Sequence, residues 1–330
     1  MKVLLAAINA KYIHSNLGIY SLKTYGEKML KEWGLAEEAK VSLAEYTINH
    51  QMEQILQDIY KRKPDVIGFS CYIWNISYVK VILADIKKVL PDVKIWAGGP
   101  EVSYHGEAFL KEEPAVDIVM MGEGEITFAH FLKGLLNGEE LKQVSGLMLR
   151  NDDGTFTDTG FRQVMDMSQI PFPYAFMDMK ELEHRIIYYE SSRGCPFSCA
   201  YCLSSIDKKL RFRSLDLVLP ELEWFLQAKV PQVKFVDRTF NCKKSHAMAI
   251  WQYIRDHDNG VTNFHFEIAA DLLDKDELDL LSTMRPGLVQ LEIGVQSTNE
   301  KTLEAIRRKT DIEEIREITE TINSWHNIHQ

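Results

Sequence analysis

The chain has little cysteine, five residues in 330, and no apolar run near the ~20 residues that a membrane-crossing helix needs. It lacks an excess of positive charge; the formal net charge of −10 disfavours a broad electrostatic grip on nucleic acid. It also lacks a G-x-G-x-x-G after its first apolar stretch, the usual fingerprint of a dinucleotide cofactor. The start, Met1-Lys2-Val3-Leu4-Leu5-Ala6-Ala7-Ile8-Asn9, is too short for an export signal. Its apolar core is about six residues, under the roughly 7–15 of a signal h-region, and Asn9 and Lys11 end it. A first β-strand is expected there, and a cytoplasmic location. What is present is ordinary for a soluble globular chain: 45% hydrophobic and 26% charged residues, and enough length for two domains.

In the first half, short uninterrupted apolar runs alternate with amphipathic stretches. Val3 to Asn9, Val41 to Ile48, Asp65 to Ser70, Val93 to Trp96 and Val116 to Met121 read as strands. Leu17 to Leu30, Met52 to Tyr60, Ser77 to Leu90 and the stretch carrying Phe128, Phe131, Leu132 and Leu135 read as helices. Buried strands alternating with helices predict an α/β fold with a doubly wound parallel sheet. Ligands of such sheets sit beyond the carboxyl ends of the strands. That edge carries Tyr12, Asn16, Ser70, Tyr72, Asn75, Gly98-Gly99-Pro100-Glu101 and Gly122-Glu123-Gly124-Glu125. Glycine there lets a backbone approach a large flat ligand or turn at positive φ.

Residues 144 to 157 read as a hairpin around Asp153-Gly154, and the stretch to about 184 has no clear periodicity. The expected division is therefore a first domain over 1–142, hairpin and linker over 143–184, and a second domain over 185–330. Alternation resumes there: strands end near Tyr189, Asp237, Glu267 and Gln296-Ser297, separated by helices from about Leu215, Ser245 and Lys275. A last helical region covers Glu300 to Ser324. Four βα units with acids at their strand ends predict a partial βα barrel, with chemistry at that end.

After the first of these strands, Cys195, Cys199 and Cys202 stand at C-x3-C-x2-C, three of the five cysteines within eight positions. Three thiolates on one loop can face a common metal centre. A four-iron cluster held by three cysteines keeps one iron open for a small ligand. The alternative is zinc, with Cys242 or His246 as a distant fourth ligand, though zinc loops usually pair two C-x2-C motifs and no second pair occurs. The basic cluster Lys208-Lys209-Leu210-Arg211-Phe212-Arg213 is expected to be a solvated loop.

The cysteine spacing, with Tyr201 just before the last cysteine, resembles the cluster loop of the radical S-adenosylmethionine (SAM) enzymes. The first half, with Ser70 and the two glycine turns, resembles the cobalamin-binding domain that precedes many of them. The resemblance implies a 4Fe-4S cluster on Cys195, Cys199 and Cys202. It implies SAM near Tyr201, Asp237 (at the amino group), Glu267, Glu292, Gln296 and Ser297, and cobalamin over the sheet edge named above. His14 stands outside any D-x-H-x-x-G motif, so cobalamin is expected without a protein histidine on cobalt. The activity implied is methylation of an unactivated carbon through a 5′-deoxyadenosyl radical and methylcobalamin, or alternatively a rearrangement or ring contraction. A small-molecule or peptide substrate and an electron donor such as flavodoxin or ferredoxin are implied partners. A zinc-stabilised, non-enzymatic binding module is the alternative from another class. The family barrel has six βα units; four here imply a barrel cut short, with an exposed parallel edge.

Overall fold

A computed structural model describes residues 1–330. The chain falls into two compact units, one of Met1–Met165 with Gln169–His184, the other of Asp166–Ser168 with Arg185–Gln330. No helix is long and apolar enough to cross a membrane.

The first unit runs β1 (Lys2–Asn9), α1 (Leu17–Glu32), β2 (Lys40–Thr47), α2 (Met52–Arg62), β3 (Val66–Ser70), α3 (Ile76–Val89) and β4 (Lys94–Gly98). It continues with α4 (Gly106–Glu112), β5 (Ile118–Met120), α5 (Glu125–Asn137), β6 (Leu147–Arg150) and β7 (Phe156–Asp158). The sheet order is β2-β1-β3-β4-β5-β6-β7, parallel from β2 to β5. Both faces are covered, which is why these strands are continuously apolar. Leu4, Ala6 and Ile8 of β1 join one core with Ile55 of α2, Ile82 of α3 and Phe109 of α4. On the other face Trp96 of β4 lies 5.9 Å from Phe128 of α5, whose ring also meets α1 at Gly26.

The hairpin expected as part of a separate join instead completes this sheet. Strand β6 pairs antiparallel with β5, Ile118 opposite Leu149, and β7 pairs antiparallel with β6. Burial of Leu147, Met148 and Leu149 explains why it docks rather than projects. The boundary at 142 therefore cuts through a sheet. Helix α4, with only seven residues, was not foreseen.

The second unit contains β8 (Ile187–Tyr189), β9 (Ser192–Arg193), β10 (Arg211–Phe212), α6 (Leu215–Gln227), β11 (Gln232–Phe235), α7 (Lys244–Asp256) and β12 (Asn263–Ile268). After these come α8 (Lys275–Ser282), β13 (Val289–Ile293), α9 (Glu300–Ala305) and α10 (Ile312–Trp325). Strands β13-β12-β11-β8 form an open parallel sheet. Val233, Phe235, Phe264, Phe266, Val289 and Leu291 are buried at alternate positions. The other positions are polar: Tyr188, Lys234, His265 and Gln290 are in register across the sheet, and Glu267 pairs with Glu292. One apolar and one polar face is the pattern of a barrel wall. The outer edge of β13, expected to be exposed in a sheet of four units, is partly covered instead, because Leu291 N–H donates to His329 O at 2.8 Å.

Candidate functional site

In the first unit the strand order reverses direction at β1 and β3, which places a crevice beyond their carboxyl ends. Asn75, 1% exposed, ties that edge together. Its Nδ2 donates to Ile8 O at 3.0 Å and to Ser70 O at 2.8 Å, while its Oδ1 accepts from Tyr72 N–H at 2.8 Å. Asn16 caps α1 by accepting from Ile19 N–H at 3.2 Å, and its Nδ2 reaches Ser70 Oγ at 3.4 Å. Asn16 and Asn75 thus shape the edge rather than project from it.

Gly99 has φ +108, and a Cβ there would stand 2.5 Å from the carbonyl oxygen of Cys71. Gly122 has φ +70 and faces the Phe161 ring. Ser103 links the two turns, donating to Gly99 O at 2.9 Å and accepting from Gly122 N–H at 3.3 Å. Gly98 and Gly124 pack tightly against Trp96 and Leu22. Pro100 and Glu101 continue the first turn, with Glu101 N–H bonded to Cys71 O at 3.4 Å, and Glu123 lies by Met165 N at 3.5 Å. Around these turns stand exposed apolar side chains: Tyr12 (58%), Ile73 (77%), Trp74 (46%), Tyr104 (47%) and Phe161 (56%). Tyr72 stacks on Trp74 with centroids 4.4 Å apart. A glycine-lined edge rimmed with exposed aromatics offers a broad surface to a large flat ligand.

In the second unit the cysteine loop is an excursion between β9 and β10, closed by pairing of Arg193 with Arg211 and Ser192 with Phe212. Gly194, φ +90, is required at its base, where a Cβ would meet Lys209 O at 2.7 Å. Inside the loop Cys195 N–H donates to Asp207 O at 3.3 Å, and Cys202 N–H to Cys199 O at 3.1 Å. All three cysteines are free thiols; Cys195 and Cys199 are buried and Cys202 is half-buried. Lys208 is more than solvated charge, because its Nζ holds Phe197 O at 2.6 Å and Ser198 Oγ at 2.8 Å. Arg213 is buried and paired with Glu221. The basic cluster is therefore largely committed to the loop and its support.

Two connections of this loop were not foreseen. Ala200 N–H donates to Ile306 O at 2.8 Å, and Arg308 spans from Tyr201 Oη, at 3.3 Å, to the carbonyl of Gly294. Arg308 thus joins the cysteine loop to the turn after β13, which holds Gln296 at φ +66 and Ser297. The Arg307-Arg308-Lys309 run was the only sequence signal for it.

The strand-end acids differ sharply. Glu292, half exposed, is held down from the usual carboxylate range by Lys234 at 2.7 Å, with His265 at 3.1 Å. Burial pushes Glu267 up, opposed by Lys234 at 3.6 Å. Asp237 does not project from the strand end as expected: it is 1% exposed, and both its oxygens accept hydrogen bonds from Ser191 and Ser192. Burial pushes its carboxyl up to about 7. His246, proposed above as a zinc ligand, instead lies 3.1 Å from Ser191 Oγ, its ring against Phe212. Burial, then Lys243, pushes it down to about 4. No three His, Cys, Asp or Glu side chains converge as a single ion would require.

Together these features define a class: a doubly wound sheet with a ligand edge, followed by a barrel-wall sheet that presents three thiols. Comparison with known proteins narrows it. Residues 3–132 match the B12 binding domain family and residues 189–324 the Radical SAM superfamily. The chain belongs to the cobalamin-binding radical SAM superfamily, with the two domains in that order. It is 29% identical to the uncharacterized methyltransferase PH0819 of Pyrococcus horikoshii over 59% of this chain and 44% of that one. It is 27% identical to the cobalamin-dependent radical SAM methyltransferase TokK of Streptomyces tokunonensis, over 75% of this chain and 38% of that one. The cobalamin-dependent SAM radical enzyme OxsB, solved with aqua-cobalamin and SAM, shares the fold with a TM-score of 0.78 at 19% identity, covering 99% of this chain and 48% of that one. The chain thus spans less than half the length of these three relatives.

The donor set suits the implied cluster in kind and number. Three thiolates on three different irons stand farther apart than ligands of one ion, so the three cysteines need not converge on one point to hold a cluster. The Gly99 and Gly122 turns and the aromatic rim suit a corrin-sized ligand.

Proposed function

We propose that this chain is the cofactor-binding part of a cobalamin-dependent radical SAM enzyme, a methyltransferase acting on an unactivated carbon of a small molecule or peptide. What carries the reading is the order of its parts: a switch-point sheet edge built on Gly99 and Gly122, then a barrel wall whose first strand leads into three free cysteines. Cys195, Cys199 and Cys202 would hold a 4Fe-4S cluster, and the Ser70–Asn75, Gly98–Glu101 and Gly122–Glu125 turns would hold cobalamin. When bound, the cluster supplies the electron that cleaves SAM, and cobalamin supplies the methyl group. The chain's own work is placement. Asn75 and Asn16 fix the sheet edge, the β9–β10 rungs close the cysteine loop, and Arg308 holds Tyr201 toward the turn with Gln296 and Ser297. Tyr201, Glu267, Glu292, Gln296 and Ser297 remain the proposed contacts of SAM.

The test is anaerobic reconstitution with iron, sulfide and cobalamin, with an electron donor such as reduced flavodoxin. Expected are the broad visible absorption of an iron–sulfur cluster, its loss in Cys199→Ala, a stoichiometric cobalamin spectrum, and cleavage of SAM. A colourless protein carrying one zinc would sink the proposal. A turnover product without an added methyl group would remove the methyltransferase assignment alone.

A further inference from the structure

Asp237 is an acid at a strand end, yet nothing about its placement serves a ligand. Its Oδ2 accepts from Ser191 N–H at 3.0 Å, and its Oδ1 accepts from Ser191 Oγ–H at 2.8 Å and from the Ser192 hydroxyl. Because the Ser191 hydroxyl donates to Asp237, it accepts from His246 Nε2, 3.1 Å away. Ser191, Ser192, Asp237 and His246 are all buried. The backbone agrees: Val236 N–H donates to Tyr189 O at 2.8 Å and Arg213 N–H to Ser191 O at 2.9 Å.

Ser191 lies in the corner between β8 and β9, Ser192 opens β9, and Cys195 follows three residues later. Two residues beyond Asp237, Thr239 Oγ1 lies 3.8 Å from Cys195 Sγ. The same short segment therefore grips the chain before Cys195 and touches the thiol itself. The other end of the loop is held separately, through Ala200, Tyr201 and Lys208. We propose that Asp237 is a positioning residue, which fixes the Cys195 end of the cysteine loop through Ser191 and Ser192, and is not a contact of the SAM amino group. The link to cluster assembly rests on the proposed function; the effect on the Cys195 thiol does not.

The test uses the full chain, first free of iron and reduced. Iodoacetamide labelling, resolved by peptide mass, gives separate rates for Cys195, Cys199 and Cys202. Losing hydrogen bonds to a buried carboxylate is worth roughly a factor of ten in a local equilibrium. Asp237→Ala is expected to label about tenfold faster at Cys195, with Cys199 and Cys202 changed less than about twofold. Ser192→Ala, a milder change that keeps Asp237 and Ser191 paired, is expected to shift Cys195 the same way by about threefold, and guards against an Asp237→Ala protein that fails to fold. After reconstitution with iron and sulfide, Asp237→Asn should carry less cluster than wild type, while SAM affinity per cluster stays within about twofold. The proposal is overturned by unchanged Cys195 labelling in both alanine variants, by equal acceleration at all three cysteines, or by lost SAM affinity per cluster with labelling unchanged. If the wild-type chain assembles no cluster, the proposed function fails, and the labelling comparison still decides the role of Asp237.

Discussion

Substitution of Gly99 by alanine probes the close approach of two chain segments at the ligand edge. Gly99 has φ +108, and an added Cβ would lie 2.5 Å from Cys71 O and 3.1 Å from Cys71 N. These are backbone atoms of the loop that leads to Tyr72 and Asn75, so no side chain can swing aside to relieve the clash. Gly138, the C-cap of α5, provides the control: φ is +67 and nothing lies within 4 Å of its built Cβ. At Gly138 alanine bears the left-handed backbone cost of about 1–2 kcal/mol, at Gly99, farther from the left-handed well, it bears at least as much, and the gain from a stiffer unfolded chain is the same. Only Gly99→Ala adds overpacking, about 1–3 kcal/mol more. Urea denaturation of the full chain, fitted with a transition for each unit, should therefore separate the two variants by about 1–3 kcal/mol. Cys71 adds a local reporter, since it is fully buried and burial pushes its thiol up to about 12. Its alkylation should accelerate in Gly99→Ala only, together with a weakened cobalamin titration. Equal stability of the two variants, with Cys71 still protected, would refute the reasoning.

Three further outcomes are expected. Asn75→Leu removes the bonds to Ile8 O, Ser70 O and Tyr72 N–H, leaves strand-end backbone groups unpaired, and should cost about 2–4 kcal/mol of the first unit's stability in urea. Lys234→Met strips the cation from Glu267 and Glu292, so Glu267, already raised by burial, should titrate still higher, visible in carboxyl carbon-13 shifts. Asp237 has its pKa raised from 3.8 to about 7, so the folded chain holds a proton there that the unfolded chain has released. Its contribution thus becomes less favourable as pH rises from about 4 to about 7, and is flat above. His246, depressed to about 4, has the opposite sign: stability is lost as pH falls from about 6.5 toward 4. Comparing wild type with Asp237→Asn across that range cancels most of the histidine's effect. The variant's profile should lack the decline between pH 5 and pH 7, by about 2 kcal/mol, when both are followed by urea midpoints.

The parallel strands were legible because sheets covered on both faces demand unbroken apolar runs, and β1, with every residue from Val3 to Ile8 at 1% exposure or less, is the extreme case. The glycine turns were legible for a related reason, since Gly99 and Gly122 stand where strands stop and φ is positive. Partners across long sequence distances were not legible. Whether Asp237 faces a cavity or folds back on Ser191, 46 residues earlier, depends on tertiary packing that no local pattern encodes. The same holds for Arg308 and Tyr201, 107 residues apart. Strands β9 and β10, two residues each, carry no periodicity, yet they set the base of the cysteine loop.

The docked hairpin has a consequence for anyone dissecting this protein. A fragment ending at residue 132 or 142 would omit β6 and β7, although it looks like a complete nucleotide-fold domain from the alternation of its elements. It would bare one side of β5, three residues at 2% exposure or less in the intact chain, with amides and carbonyls free to recruit another molecule's strand. Such a fragment should polymerise edge to edge, whereas one carried through Met165 should stay dispersed. Light scattering of the two fragments would tell them apart, and misattributing the precipitate to a missing cofactor would be an easy mistake.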